Sequence, residues 1–218
     1  MRILETMPPD VVILDLGCGN GELARELARR GYQGSYLGLD FSKELLDVAR
    51  AGCPECPNIS FALTDLSDPQ WDIAVSGGQW SVESGQPRID LVLAFAVFHH
   101  LPSRELHLET FTKVNKLLSL NGRLIHSNWQ FLNSPRLKTR IQPWDAIGLH
   151  SAQVDPGDYL LDWRRGGYGL RYVHQFNEEE LCELADETGF KVIESFYSDG
   201  QEGNLGLYHV WEKIKHFL

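Results

Sequence analysis

Short runs rich in Val, Ile and Leu alternate along the chain with stretches whose apolar residues recur every three or four positions. A continuous apolar run bounded by glycine predicts a buried strand, and the longer period predicts a helix. Residues 11–16 (VVILDL) read as a strand that stops at Gly17. Residues 21–30 place Leu23, Ala24, Leu27 and Ala28 at helical spacing, with Gly31 as the C-terminal stop. A second strand is expected over 35–40. The helix after it, 43–50, is N-capped by Ser42 and turns Leu45, Leu46 and Ala49 inward. Further strands are expected over 59–63, 89–95 and 123–129, with an extra one over 71–75. A helix over 103–118 and a turn at Asn121-Gly122 complete this part.

This alternation predicts an α/β fold, a doubly wound and mostly parallel seven-stranded sheet with helices on both faces. It breaks over 130–174, where Pro135, Pro143, Pro156 and Arg164-Arg165-Gly166-Gly167 leave no sustained period. Long irregular segments are usually functional, so 130–174 reads as a substrate cover inserted in one domain spanning 1–218. Helical spacing resumes after Asn177, with Leu181, Leu184 and Ala185 inward and Gly189 as the stop. Strands over 191–197 and 205–213 then close an antiparallel hairpin.

Composition narrows the class. Of 218 residues, 43% are hydrophobic and 23% charged, which excludes disordered, collagen-like and coiled-coil chains. The longest apolar run, 91–98, falls far short of the ~20 residues that cross a bilayer. No apolar leader segment follows Met1, and four cysteines are too few for a disulfide scaffold, so a cytoplasmic protein is expected. The net charge of −10 repels nucleic acid and membrane surfaces on average. Only the middle segment, 136–174, is net basic (+2), so an anionic ligand is expected to approach there.

The chemistry begins at the end of the first strand, in Asp15-Leu-Gly-Cys-Gly-Asn-Gly21. A glycine turn opening a helix is shared with dinucleotide-binding folds. Here the glycines are spaced 17, 19, 21 and an acid precedes them, which suits a cationic amino-acid ligand better than a diphosphate. Asp40 ends the second strand, where a carboxylate can accept both hydroxyls of a ribose. Asp65 follows the third, where it can accept from an adenine amino group with Leu66 against the ring. Either acid alone reads as a turn or cap residue; three signals at successive strand ends favour a ligand site.

LDLGCGNG (14–21), LGLDFS (37–42), TDL (64–66) and LVLAFAVFHHL (91–101) resemble the first four motifs of class I S-adenosylmethionine-dependent methyltransferases. The resemblance implies S-adenosylmethionine as the methyl donor. It places Gly17, Cys18, Gly19 and Gly21 under the methionine part, Asp40 and Phe41 at the ribose, and Asp65 with Leu66 at the adenine. Phe95 would line the methyl-donor pocket, and Asp15 would hold the loop. Members usually carry a helix or two before the first strand as a lid. With ten residues there, the lid is expected from 130–174, or the site is open.

The acceptor is less constrained. Ala96-Val-Phe-His-His100 replaces the Asp/Asn-Pro-Pro-Tyr of amine-directed nucleic-acid enzymes, and no cysteine suits cytosine C5 chemistry. Cys53-Pro-Glu-Cys56 has zinc-knuckle spacing without a second pair, so no metal is expected. His99 is a candidate substrate contact or general base, and His100 a residue that orients the turn. Asp155-Pro-Gly-Asp-Tyr-Leu-Leu-Asp-Trp163 and Arg171-Tyr-Val-His-Gln-Phe-Asn-Glu-Glu-Glu-Leu181 are similar to motifs of the tRNA wobble-uridine carboxymethyl methyltransferases. Those enzymes esterify a uridine carboxylate and work with a small zinc-containing activator subunit. That similarity implies catalytic roles for Arg164 and Arg165 beside His99, and substrate contacts from Trp163, Arg171, Tyr172 and His174. The acidic charge counts against tRNA. The expectation is therefore methyl transfer to a tRNA carboxylate, with a small-molecule O- or N-methyltransferase as the alternative. A non-catalytic cofactor-binding module or partner subunit is the second alternative.

Overall fold

The computed structural model describes residues 8–76, 82–83, 86–87, 89–164 and 167–214. Five strands of the main sheet come first: β1 (Ile13–Leu16), β2 (Tyr36–Asp40), β3 (Ile59–Leu63), β4 (Ile89–Phe95) and β5 (Leu118–Trp129). Three more, β6 (Ile141–Gln142), β7 (Asp158–Trp163) and β8 (Gly169–His174), lie within the interrupted segment, and β9 (Phe190–Ser198) and β10 (Gly206–Lys213) end the chain. The principal helices are α1 (Glu22–Arg29), α2 (Lys43–Ala51), α3 (Arg104–Leu117) and α4 (Glu178–Glu187).

The main sheet has seven strands in the order β9-β10-β5-β4-β1-β2-β3. β5, β4, β1, β2 and β3 run parallel; β10 is antiparallel to β5, and β9, antiparallel to β10, returns to the direction of the parallel set. Because side chains alternate along a strand, the two faces bury different residues. Leu14, Leu16, Leu37 and Val92 pack with Phe111 of α3 and Leu181 of α4, whereas Ile13, Tyr36 and Leu93 pack with Ala24 and Leu27 of α1. The caps follow the sequence: Ser42 Oγ accepts from the Leu45 N–H at 3.2 Å, and Asn177 Oδ1 from the Glu180 N–H at 2.9 Å.

Four local expectations need correction. Residues 71–75 form no strand; Ile73–Ser76 is a single helical turn. Its cause is spacing, since Trp71 and Val75 stand four apart and both bury. On α2, Leu45 faces solvent while Leu46 and Ala49 are buried. Asn121 takes a left-handed φ of 62° as a turn residue, yet β5 continues through it, with a register shift against β4 between Ile89 and Leu91. Residues 130–174 are not irregular throughout. β8, β7 and β6 form a three-stranded antiparallel sheet over a small core of Phe131, Leu137, Leu161 and Val173.

The interior also holds a row of neutral imidazoles. His126 Nδ1 accepts from Asn128 Nδ2 at 3.0 Å, and His209 Nδ1 accepts from Trp211 Nε1 at 3.0 Å. His107 Nε2 donates to the Phe98 carbonyl at 3.2 Å. Burial pushes all three down, His107 and His209 to about 4 and His126 well below the usual range. The folded state leaves these rings unprotonated where the unfolded chain binds protons, so their contribution to stability is complete above pH 6.5 and is lost as pH falls toward 4. Each drop to about 4 is worth roughly 3 kcal/mol. Asp15 opposes this, its carboxyl raised to about 7 chiefly by burial, but it is one group against three. Urea midpoints should therefore fall steeply between pH 6.5 and 4.5; a flat profile across that interval would show that these rings are not held neutral. Among the described residues, no helix is long and apolar enough to cross a membrane.

Candidate active site

Parallel strands carry their carboxyl ends to one edge of the sheet, and ligands bind in the crevice there, where strand order reverses. In this sheet the reversal lies between β1 and β4. β1 ends in the glycine loop, in which Gly17, Gly19 and Gly21 have φ of +69°, +56° and +76°. A Cβ on Gly17 would stand 2.4 Å from Val97 Cγ2, and one on Gly21 2.7 Å from Ala49 Cβ. Glycine is therefore required twice over, for the left-handed backbone and for the close approach. Asp40 braces the loop, its Oδ2 accepting from the Gly19 N–H at 2.8 Å and its Oδ1 from the Ser42 N–H at 2.9 Å. Beneath it, buried Asp15 accepts from Tyr36 Oη at 2.5 Å, which makes it a strut of the loop. Cys18 tucks its thiol against Gly38, and burial pushes that thiol well above its ordinary range.

Above the strand ends opens a cleft of about 530 Å³. Gly17, Asp40, Phe41, Asp65 and Leu66 line one side, and Ala96, Val97, His100, Arg171 and Tyr172 the other. The topology thus brings together five of the nine residues expected at the donor, with two of the four expected at the acceptor. Asp65 uses Oδ1 for the Ser67 N–H (2.9 Å) and Oγ (2.7 Å), leaving Oδ2 for a ligand. Gly19, Gly21 and Cys18 shape the loop without lining the cleft. Phe95 turns away from the cleft, its ring 6.3 Å from that of Tyr208. The reason is the sharp turn after it, where Ala96 takes φ 58° and its N–H bonds to the Ser127 carbonyl and hydroxyl.

The two histidines exchange their expected positions. His99 is fully buried, and its Nδ1 accepts the Trp129 N–H at 3.2 Å, so it orients the turn and meets no ligand. His100 lines the cleft. Its Nδ1 donates to the Tyr172 carbonyl at 3.0 Å, which leaves Nε2 as the lone-pair nitrogen. Burial lowers its pKa, and the nearby Arg171 charge lowers it further, so the ring is neutral near pH 7.

Arg171 extends from β8 into the cleft wall with its guanidinium carbon 4.2 Å from the centre of the Trp163 ring. No carboxylate among the described residues pairs with it, and burial lowers its pKa. Arg164 differs. It is exposed and bonded through Nε (3.0 Å) and Nη2 (2.6 Å) to Asp162, away from the cleft, so its charge is already spent. Arg165 lies outside the described residues. His174, expected at the substrate, is buried between Asp158 and Glu180 instead. Cys53 and Cys56 are free thiols, and no group of three metal-ligating residues occurs among the described residues. Ala96, Val97 and His100 were missed as wall residues; their signal was their position just past the end of β4.

Comparison with known proteins agrees with this geometry. A family model described as a methyltransferase domain matches residues 1–195. The malonyl-[acyl-carrier protein] O-methyltransferase of Halalkalibacterium halodurans is 29% identical over 192 residues, 84% of this chain and 62% of that protein, so the chain spans under two thirds of that relative. An S-adenosylmethionine-dependent methyltransferase from Methanosarcina mazei superposes with a TM-score of 0.71 at 20% identity, covering 98% of this chain and 97% of that one. The 1,6-didemethyltoxoflavin-N1-methyltransferase of Burkholderia thailandensis, solved with S-adenosylhomocysteine, does so at 0.59 and 18% identity, covering 94% and 72%. The cleft has the volume of a small-molecule site and carries two carboxylates, Asp40 and Asp65, at adjacent strand ends. The chain belongs to the methyltransferase-domain family and is an S-adenosylmethionine-dependent methyltransferase.

Proposed function

We propose that the enzyme methylates a carboxylate on a small organic acid, and that Arg171 holds that acid in the cleft. The supporting observation is the guanidinium itself, half-buried, stacked on Trp163 and without a carboxylate partner among the described residues in a cleft wall. A desolvated cation without a partner is costly, and a bidentate carboxylate relieves that cost best. Bound S-adenosylmethionine supplies a methyl group activated by its sulfonium. On the donor side, Asp40 accepts from the ribose hydroxyls with the lone pairs its backbone bonds leave free, and Asp65 Oδ2 accepts from the adenine amino group. Leu66, Val97 and Pro102 exclude water, which favours a reaction in which opposite charges neutralise. A carboxylate is ionised near neutral pH and needs no general base. The relative from Halalkalibacterium halodurans acts, by its name, on an oxygen of a malonyl group.

The carboxymethyl uridine of tRNA carries the same group, and the two motifs similar to the tRNA enzymes form β7 and β8, which join in one sheet. The net charge of −10 and the pairing of Arg164 with Asp162 favour the small acid. Transfer of labelled methyl from S-adenosylmethionine decides between them, with short mono- and dicarboxylic acids, their thioesters and carboxymethyl-bearing tRNA as acceptors. A methyl ester releases methanol in alkali. Alkali-labile label on the acids is the expected result, label on tRNA alone selects the second reading, and alkali-stable label on any acceptor overturns both.

A further inference from the structure

Behind the cleft wall, a chain of hydrogen bonds runs from α4 to His100. His174 Nε2 meets Glu180 Oε1 at 2.9 Å and its Nδ1 meets Asp158 Oδ1 at 2.7 Å. The same Asp158 oxygen accepts from Tyr172 Oη at 2.6 Å, and the Tyr172 carbonyl accepts from His100 Nδ1 at 3.0 Å. Carboxylate oxygens only accept, so both nitrogens of His174 must donate and the ring is an imidazolium. It is almost fully buried, and it joins three elements: Asp158 opens β7, His174 ends β8 and Glu180 sits in the first turn of α4.

We propose that His174 is a positioning residue of the acceptor cleft: clamped between Asp158 and Glu180, it fixes Tyr172 and through it the tautomer and orientation of His100. The consequence at the cleft follows from atom roles. While the Tyr172 carbonyl is held in place, His100 keeps its proton on Nδ1 and presents an unprotonated Nε2 to whatever occupies the cleft. When His174 loses its proton, a nitrogen lone pair faces a carboxylate oxygen, and the clamp between β8 and α4 opens. Burial alone lowers the His174 pKa, but the bonds to Glu180 and Asp158 outweigh it and raise it above the ordinary value. The clamp is therefore complete at and below pH 6.5 and is lost as pH rises through that raised value. The other titratable groups facing this site are His107 of α3, whose ring lies 5.4 Å from that of His174, Arg104 of α3, whose charge reaches Glu180, buried His99, which feels the His174 charge, and Asp155, whose charge acts on Tyr172. His107 is neutral, its pKa held at about 4 by burial and by the His174 charge.

This inference rests on the cleft being the acceptor side, but its test uses no acceptor. Histidine side chains of the full chain are ¹⁵N-labelled and followed by NMR from pH 6 to 9, with S-adenosylhomocysteine titrated into the same samples. His174 should carry protons on both nitrogens at pH 7.5, and His100 should show a single Nδ1–H tautomer. Glu180→Gln, at a partly exposed side chain, should lower the titration point of His174 and mix the tautomers of His100, while donor binding stays within about twofold. Tyr172→Phe, which removes the hydroxyl's bond to Asp158 and its contact with the Ser103 backbone, should also mix the His100 tautomers and provides the test if Glu180→Gln fails to fold. A neutral His174 at pH 7.5 overturns the proposal. So does a His100 tautomer that neither variant moves.

Discussion

Asp40→Ala should weaken S-adenosylhomocysteine binding by roughly 10- to 100-fold, measured by calorimetric titration, as expected for loss of a charge-assisted hydrogen bond. Two losses combine. The variant removes the carboxylate assigned to the ribose hydroxyls, and it orphans the N–H groups of Gly19 and Ser42 that Asp40 holds at 2.8 and 2.9 Å. The second loss acts on the glycine loop, so part of the effect is a less ordered site before any ligand arrives. Asp40→Asn separates the contributions. An amide keeps one acceptor oxygen and presents an NH₂ to the other backbone N–H, so it should fall between wild type and Asp40→Ala. Affinity within twofold of wild type for Asp40→Ala would remove Asp40 from the donor site.

The strand-end residues proposed to hold the donor could be named from the sequence because that side of the cleft is built locally. Each of its residues lies within three positions of the end of a strand that the apolar runs already marked: Gly17 after β1, Asp40 at the end of β2, Asp65 and Leu66 after β3. Strand ends in a parallel sheet converge by topology, so naming the strands brings these residues together without any knowledge of packing. Phe95 failed for a reason that periodicity cannot contain. Which way a side chain leaves the end of a strand depends on the turn after it, and that turn rests on Ser127, thirty-one residues further on. The exchange of His99 and His100 has the same origin, since consecutive residues on a tight turn point opposite ways and only the partner, here the Trp129 N–H, selects the inner one.

The acceptor half was read poorly because its order comes from pairing between segments with weak local signals. β7 buries Leu160, Leu161 and Asp162 in succession, which breaks the alternation expected of a half-buried strand. Asp162 is tolerated there because Arg164 partners it, and the same pairing removes Arg164 from any ligand. Charge counted along the sequence treats Arg164 and Arg171 alike. In the fold, one is neutralised on the surface and the other stands half-buried in the cleft.

That difference sets the second large effect. Arg171→Gln should lower kcat/KM for a carboxylate acceptor by roughly 100- to 1,000-fold, the worth of a desolvated bidentate ion pair. Glutamine keeps a polar head of similar reach but carries neither the charge nor the planar fork. If the guanidinium only binds the acid, KM should rise with kcat nearly unchanged; if it also aligns the reacting oxygen, kcat should fall with it. Arg171→Lys restores the charge without the fork or the stacking on Trp163, 4.2 Å away, and should recover only a small part of the loss. Binding of S-adenosylhomocysteine is the control, because the residues proposed to hold the donor follow β1, β2 and β3 and not β8. Turnover of a carboxylic acid within threefold of wild type in Arg171→Gln would mean that the cleft does not grip its acceptor through this cation, and the acid would have to be sought elsewhere on the wall.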